Sequence, residues 1–259
     1  MPRLGAAAIL ALLLSVPVAV QQAVLPDQQA FFGAVRENLE RDARVQDEFA
    51  YKERRTQIHT NPFGRLGTGG VLVYQLTPLP NGPGYTRRVL ERDGKPVVGG
   101  EVDRIGERRN RTRDRAQSPS AIDDTLNVLD FSIDRRETVA ARAVIVVKFA
   151  PKPNARPRTR EGRLARSFTG EIRIDEQAQE IMRVDAVAVD SLSYGYGIVA
   201  RLGEGTRVTL VREPVEQQLW LPVSIRFKGE GRAMLVRKLN IDFAVEWFDY
   251  RRVLPADAR

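Results

Sequence analysis

The chain has 259 residues, no cysteine and a single histidine, and its 41 Lys and Arg against 33 Asp and Glu give a formal net charge of +8. Without cysteine it forms neither disulfides nor thiolate metal sites, and a domain of this length can bury enough apolar surface to fold without them. The basic excess is interleaved with acid: Arg104, Arg108, Arg109, Arg111, Arg113 and Arg115 alternate with Glu101, Asp103, Glu107 and Asp114. No zinc-finger spacing, RNA-binding aromatic signature or helix-turn-helix pattern accompanies them, which sets nucleic acid aside as a partner. A solvated basic surface, or attraction to an anionic membrane surface or other envelope polyanions, accounts for the charge.

The first elements are read in chain order. Residues 1–23 place one Arg ahead of an apolar run from Leu4 to Val20, the layout of a secretory signal, with cleavage expected between residues 19 and 26. No cysteine follows for lipid attachment, so the expected product is an exported, periplasmic protein of one domain, residues 24–259. Asp27 then caps a helix running to about Asp47, with Phe31, Val35, Leu39 and Ala43 on one face and Arg36, Glu37, Glu40 and Arg41 opposite. One apolar face needs one partner, and a sheet supplies it most economically.

From Phe49 the period changes to alternation. FAYKERRTQI and GGVLVYQLTPLP read as strands, Asn81–Gly84 as a reversal, and YTRRVLERDGKPV as a strand closing on an Asp93-Gly94 turn. Residues 98–118 carry only Val102 and Ile105 as branched apolar side chains and read as a short surface helix or an ordered excursion. A short segment from Ile122 to Leu129 leads into FSIDRRETV and ARAVIVVKFAPKP, where Ala143 to Phe149 is almost continuously apolar and marks a strand covered on both faces. Arg156, Arg158, Arg160, Arg163 and Arg166 follow in a Pro- and Gly-containing surface loop.

The last third is three apolar-alternating stretches: Glu171 to Val189, Val199 to Phe227 and Ala233 to Val253. Phe168, Ile172 and Ile174 precede a DEQAQ reversal and Ile181 and Val184 follow it, a hairpin in which Asp175 is a turn former. Interruptions are expected at Glu213-Pro214, Leu221-Pro222 and Lys228–Gly231, with Gly170 and the Gly-rich stretches bending the sheet. The sum is a mainly β fold with α: a strongly curved antiparallel sheet of about nine to eleven strands, a half or incomplete β-barrel, packed against the N-terminal helix. Trp220, Phe227, Met234, Ile241, Phe243, Trp247 and Tyr250 are available to line a groove on its concave face, or to fill the core shared with the helix.

Catalytic chemistry finds little support. His59 stands in an expected turn beside Asn61-Pro62 with no second histidine or cysteine for a metal and no Gly-x-Ser-x-Gly elbow to serve, so neither catalytic residues, metal nor cofactor are expected. Gly195, Gly197, Gly203 and Gly205 lack the strand, loop and helix order of a nucleotide site. Asp190, Asp242 and Glu246 read as sheet-surface partners for arginines.

Four segments, FAYKERRT, RSFTGEIRIDEQAQEIMRVDA, LWLPVSIRFKGEGR and IDFAVEWFDYRRV, resemble the exported bacterial lipoprotein carrier and sorting proteins, the LolA/LolB-like family. The resemblance rests on Phe168, Gly170, Ile172, Ile174 and Asp175, then Ile181 and Arg183, Trp220 and Pro222, and Phe248, Tyr250 and Arg251. It spans residues 28 to 253, and the basic stretches 101–115 and 156–166 lie outside the shared segments. It implies an incomplete barrel capped by helices and holding an acyl chain of a lipoprotein or another hydrophobic ligand; of the groove candidates named above, Trp220, Phe227, Met234, Phe243 and Trp247 are the expected ligand-binding residues. Three functions follow as expectations: a noncatalytic periplasmic carrier, foremost; a structural or interaction module of the cell envelope; and, last, a hydrolase of envelope polymers. A continuous apolar cavity under the first helix distinguishes the carrier.

Overall fold

The computed structural model describes residues 24–59, 70–79, 84–99, 102–105, 119–194, 200–233 and 237–253. The expected secretory signal and Met234 lie outside these residues. Helix α1 (Gln28–Val45) begins where expected: Asp27 Oδ1 accepts from the backbone N–H of Ala30 at 2.9 Å, and Phe31 and Val35 are buried. A short 3₁₀ turn, Gln46–Glu48, passes the chain into β1 (Phe49–His59). Then follow β2 (Gly70–Pro78), β3 (Tyr85–Arg92), β4 (Lys95–Pro96) and β5 (Val102–Ile105). Helix α2 (Pro119–Val128) leads into β6 (Leu129–Val139) and β7 (Arg142–Pro151), and helix α3 (Arg160–Ala165) into β8 (Phe168–Asp175) and β9 (Glu180–Ala188). The chain closes with β10 (Leu192–Tyr194), β11 (Ala200–Leu202), β12 (Arg207–Glu216), β13 (Leu219–Ala233) and β14 (Arg237–Arg252).

All these strands belong to one antiparallel sheet. Eleven follow a single hydrogen-bonded path, β4-β3-β2-β1-β14-β13-β12-β9-β8-β7-β6, while β5, β10 and β11 pair beside it. The first strand thus pairs with the last, from Phe49 opposite Arg252 to His59 opposite Ile241.

The strongly curved half-barrel is overturned. Among the described residues the path has two free ends, β4 and β6, which do not pair with each other, and the sheet neither closes nor curls strongly. Closure needs hydrogen bonds between the terminal strands, and β4 offers only two residues, one of them Pro96 without a donor. The inferred bending rested on glycines and prolines acting as breaks, whereas β12 runs through Pro214 and β13 through Pro222, Gly229 and Gly231. Register shifts at Val211/Arg212 and Pro214/Glu216 absorb the prolines as bulges. Gly170 permits close approach within β8, since a Cβ there would stand 2.0 Å from the Asp185 carbonyl oxygen.

Other local readings change too. Val102–Ile105 is a strand against β3, His59 ends β1 in register with Ile241, and the basic loop contains α3. The DEQAQ reversal is as read, with Asp175 Oδ1 accepting from the N–H groups of Gln177 and Ala178 at 3.0 and 2.8 Å.

Helix α1 covers one face of the sheet at β6–β9, where Phe31 and Val35 meet Ile145, Val147 and Ile174. Val144 and Val146 point to the opposite face and are nevertheless fully buried. Their cross-strand neighbours there are Glu137, Arg135, Asp175 and Arg173, so Val146 is flanked by two guanidinium stems. That face carries a lattice of ion pairs: Arg173 to Glu137 (2.9 Å) and Asp185 (2.8 Å), Arg183 to Asp185 (2.6 Å), Arg226 to Asp242 (2.7 Å) and Arg54 to Glu246 (2.8 Å). Asp242 and Glu246 thus take the arginine partners read from sequence. Among the described residues no helix is long and apolar enough to cross a membrane.

Candidate functional site

Between α1 and the sheet lies an apolar cavity of about 520 Å³. Phe32, Gly33, Val35 and Leu39 line it from α1, Thr125 and Leu126 from α2, and Phe131, Val147, Ile172, Ile174 and Ile181 from β6 to β9. Among the described residues the only charged lining side chain is Arg36, whose guanidinium pairs with Asp123 of α2 at 3.0 Å and with Glu40 at 2.9 Å. The two helices are therefore tied across the mouth, where Leu126 is 38% exposed. The cavity lies beside the stripe that α1 seals: Phe31 and Val35 are buried against Ile145 and Ile174, while Phe32 and Leu39 pack on that core only partly buried and line the space left beside it.

The far end of α1 is fixed by a buried polar cluster. Asp42, Glu180 and Arg212 are 1%, 2% and 6% exposed. Arg212 Nη2 donates to Asp42 Oδ2 at 2.9 Å and to the Trp220 carbonyl at 2.6 Å, and its Nη1 reaches Glu180 Oε2 at 3.3 Å. The Trp220 N–H donates to Asp42 Oδ2 at 3.2 Å. From the rim, Arg41 Nη2 meets Glu180 Oε1 at 2.6 Å, Asp42 Oδ1 at 2.8 Å and the Gln218 carbonyl at 2.7 Å. Burial, joined by the like charge of Asp42, pushes the Glu180 carboxyl up to about 7 against the opposing pull of Arg212 and Arg41. Sequence reading assigned Arg41 to the exposed face of α1 and did not single out Asp42, Glu180 or Arg212. A carboxylate beside the apolar stripe, at Asp42, was the available signal.

The residues selected from sequence as ligand-binding occupy other parts of the sheet. Trp220 is 4% exposed at the α1 anchor, with the Arg142 guanidinium 5.7 Å from its ring centroid. Phe227 and Phe243 are cross-strand partners on β13 and β14, half-buried, with ring centroids 6.1 Å apart. Trp247 donates its Nε1–H to Glu53 at 3.0 Å, and Glu53 is fully buried and also paired with Arg55. Trp247 and Tyr250 pack on the cluster of Tyr51, Tyr74, Leu76 and Tyr85, and the Tyr250 hydroxyl donates to the Pro222 carbonyl at 2.6 Å. Burial raises the Tyr250 hydroxyl well above its ordinary value. None of these residues lines the cavity under α1. A groove of about 550 Å³ between β12, β13, β14 and β1 does include Trp247 and Tyr250, but Arg54, Glu213, Glu246 and Asp249 stand among its walls.

Among the described residues no group of His, Asp and Glu is placed to hold a metal ion. The α1 cavity presents apolar carbon and one guanidinium already engaged by two carboxylates. Such a lining offers few hydrogen-bond partners to water and contact area to apolar groups.

No family model matches the sequence, and no curated protein does. Among solved structures, low-identity alignments run over most of the chain. A LolA superfamily protein from Nitrosomonas europaea aligns over 85% of this chain and 93% of its own, with 10% identity and a TM-score of 0.35. An outer membrane lipoprotein-sorting type domain from Vibrio parahaemolyticus aligns over 86% and 94%, with 12% identity and a TM-score of 0.35. A DUF1329 family protein from Desulfovibrio piger aligns over 85% and 92%, with 10% identity and a TM-score of 0.33.

Proposed function

We propose that this protein is a noncatalytic binding or carrier protein of the bacterial periplasm that holds an acyl chain, of a lipoprotein or a comparable hydrophobic ligand, between α1 and β6–β9. The observation that carries the reading is the apolar cavity of about 520 Å³ with a mouth between α1 and α2. Each methylene moved from water into such a cavity contributes about 0.8 kcal/mol, so roughly ten of them supply about 8 kcal/mol before ordering costs. The half-buried Phe227 and Phe243 extend the apolar surface of the sheet beyond the cavity, as a place for a longer ligand to continue.

The test is native mass spectrometry of protein purified gently from a bacterial periplasm, followed by titration with a fluorescent fatty acid. A bound lipid or acylated peptide, or saturable one-to-one uptake of the probe, supports the reading. A clean apo mass with no uptake refutes it and favours an envelope interaction module. For that second reading the specific observation is the outer edge of β6, an 11-residue strand at one end of the sheet path with no partner strand among the described residues.

A further inference from the structure

The connection from β7 to β8 carries Lys152, Arg156, Arg158, Arg160, Arg163 and Arg166 against one carboxylate, Glu161. All five arginines are exposed, and none lies within salt-bridge distance of a carboxylate of the described residues. The contrast is with the ion-paired face of the sheet, where Arg54, Arg173, Arg183 and Arg226 are each matched. Among these free guanidinium groups stands Leu164, 53% exposed. Arg160 and Leu164 are four apart on α3 and share a face, with Arg163 beside them.

This basic connection is held firmly in place. Asp124 of α2, 5% exposed, accepts from the Arg158 N–H (2.9 Å), the Thr159 N–H (2.7 Å) and the Thr159 hydroxyl (2.7 Å). The Thr159 hydroxyl oxygen in turn accepts from the Gly162 N–H at 2.9 Å. Gly162 is buried against the same carboxylate, since a Cβ there would stand 2.1 Å from Asp124 Oδ2. The backbone is thereby turned inward and the arginines outward. The helix that anchors it also forms the mouth of the cavity: Thr125 and Leu126 follow Asp124 directly, and the Lys152 ammonium sits 3.4 Å from the Leu126 carbonyl.

We infer that the α3 connection is a docking surface for an anionic phospholipid bilayer, which sets the cavity mouth beside the headgroups from which acyl chains enter or into which they leave. The inference rests on the cavity reading for its purpose, while the surface itself rests on charge and placement. Unpaired arginines around a protruding leucine match an anionic leaflet, with charge at the phosphates and an apolar side chain at the level of the glycerol and upper acyl region.

The experiment is flotation of the purified chain with phosphatidylglycerol-rich vesicles and with pure phosphatidylcholine vesicles. The expected result is flotation with the anionic vesicles alone, weakening as salt is raised. Each basic side chain at such a surface contributes a factor of about five, so the triple variant R160Q/R163Q/R166Q should lose about a hundredfold in partition. L164S should lose a smaller factor without changing the salt dependence. A control triple, R44Q/R207Q/R251Q, removes the same charge from exposed arginines elsewhere and should keep most of the binding; circular dichroism melts verify that each variant folds. Absence of wild-type flotation, or a loss in the control triple equal to that in the α3 triple, overturns the inference. Uptake of a soluble fluorescent fatty acid is measured on the same proteins without vesicles. An empty cavity with an intact α3 effect refutes the carrier reading alone, and a loaded cavity without the α3 effect refutes the docking surface alone.

Discussion

Replacing Arg212 with Met tests whether the polar cluster locks α1 to the sheet. The side chain is 6% exposed and faces two carboxylates, Asp42 at 2.9 Å and Glu180 at 3.3 Å, each almost completely buried. Met keeps most of the stem volume, so the loss falls on the charge and on the hydrogen bond to the Trp220 carbonyl. Arg41, at the rim, is left as the one cation touching both carboxylates. Breaking a buried pair from one side costs about 3–5 kcal/mol, and that is the expectation at pH 8, above the wild-type folded value of Glu180. At pH 5 Glu180 lies below its folded value of about 7 and carries a proton, so one uncompensated charge disappears and the loss should shrink by about 1–2 kcal/mol. Urea unfolding at both pH values, followed by the fluorescence of Trp220 and Trp247, measures the difference. A loss below about 1 kcal/mol at pH 8, or the same loss at both pH values, would refute the reasoning that Arg212 neutralises a buried acidic pair.

The wild-type protein should itself be pH-dependent in the same direction. Glu180 rises from about 4.5 in the unfolded chain to about 7 in the folded one, so its contribution is fully present below pH 4.5 and is lost as pH climbs through 7. Melting temperatures across that window should fall with pH for wild type and flatten in Glu180→Gln. In Ile172→Trp the added ring should occupy cavity space equal to about two methylenes, lowering fatty-acid affinity by about 1.6 kcal/mol, roughly fifteenfold, while stability changes by less than about 1.5 kcal/mol; titration with the fluorescent probe and a urea curve report the two. Gly170→Ala brings a methyl group against the Asp185 carbonyl and should cost about 1–3 kcal/mol in urea unfolding, with a silent substitution counting against the close-approach role.

Sequence reading reached what is written in local periods. The Asp27 cap, the Phe31/Val35 stripe, the doubly covered Val144–Val147 run and the Asp175 turn are each set by residues within a few positions of one another. It failed where tertiary register decides. Gly170, Pro214, Pro222 and Gly229 read locally as bends or breaks, but each sits inside a strand whose neighbour accommodates it, by a bulge or by close approach. Arg160–Ala165 is too short to show a helical period, and it holds its place through Asp124 of a helix 34 positions upstream. The cavity was placed in principle, under the helix after Asp27, but its walls were assigned to the aromatic residues of the last strands. The walls are instead branched aliphatic residues of β7–β9 with Phe32 and Phe131, because α1 crosses that half of the sheet. Aromatic content marks where surface is available to bury, and only the path of the helix determines which part stays unfilled.

The pairing of β1 with β14 bears on how the molecule is made. Glu48 and Arg252, joined at 2.9 Å, are 204 positions apart, and Asp42 waits 178 positions for Trp220. The centre of the sheet is therefore a seam between strands far apart in sequence, and it cannot form until β14 is present. Loops that long delay productive contacts, which makes for slow folding with a late commitment step. A chain emerging in order from its N-terminus stays unlocked until β14 has emerged, and loss of β14 would leave β1 and β13 each with an open edge in the middle of the sheet.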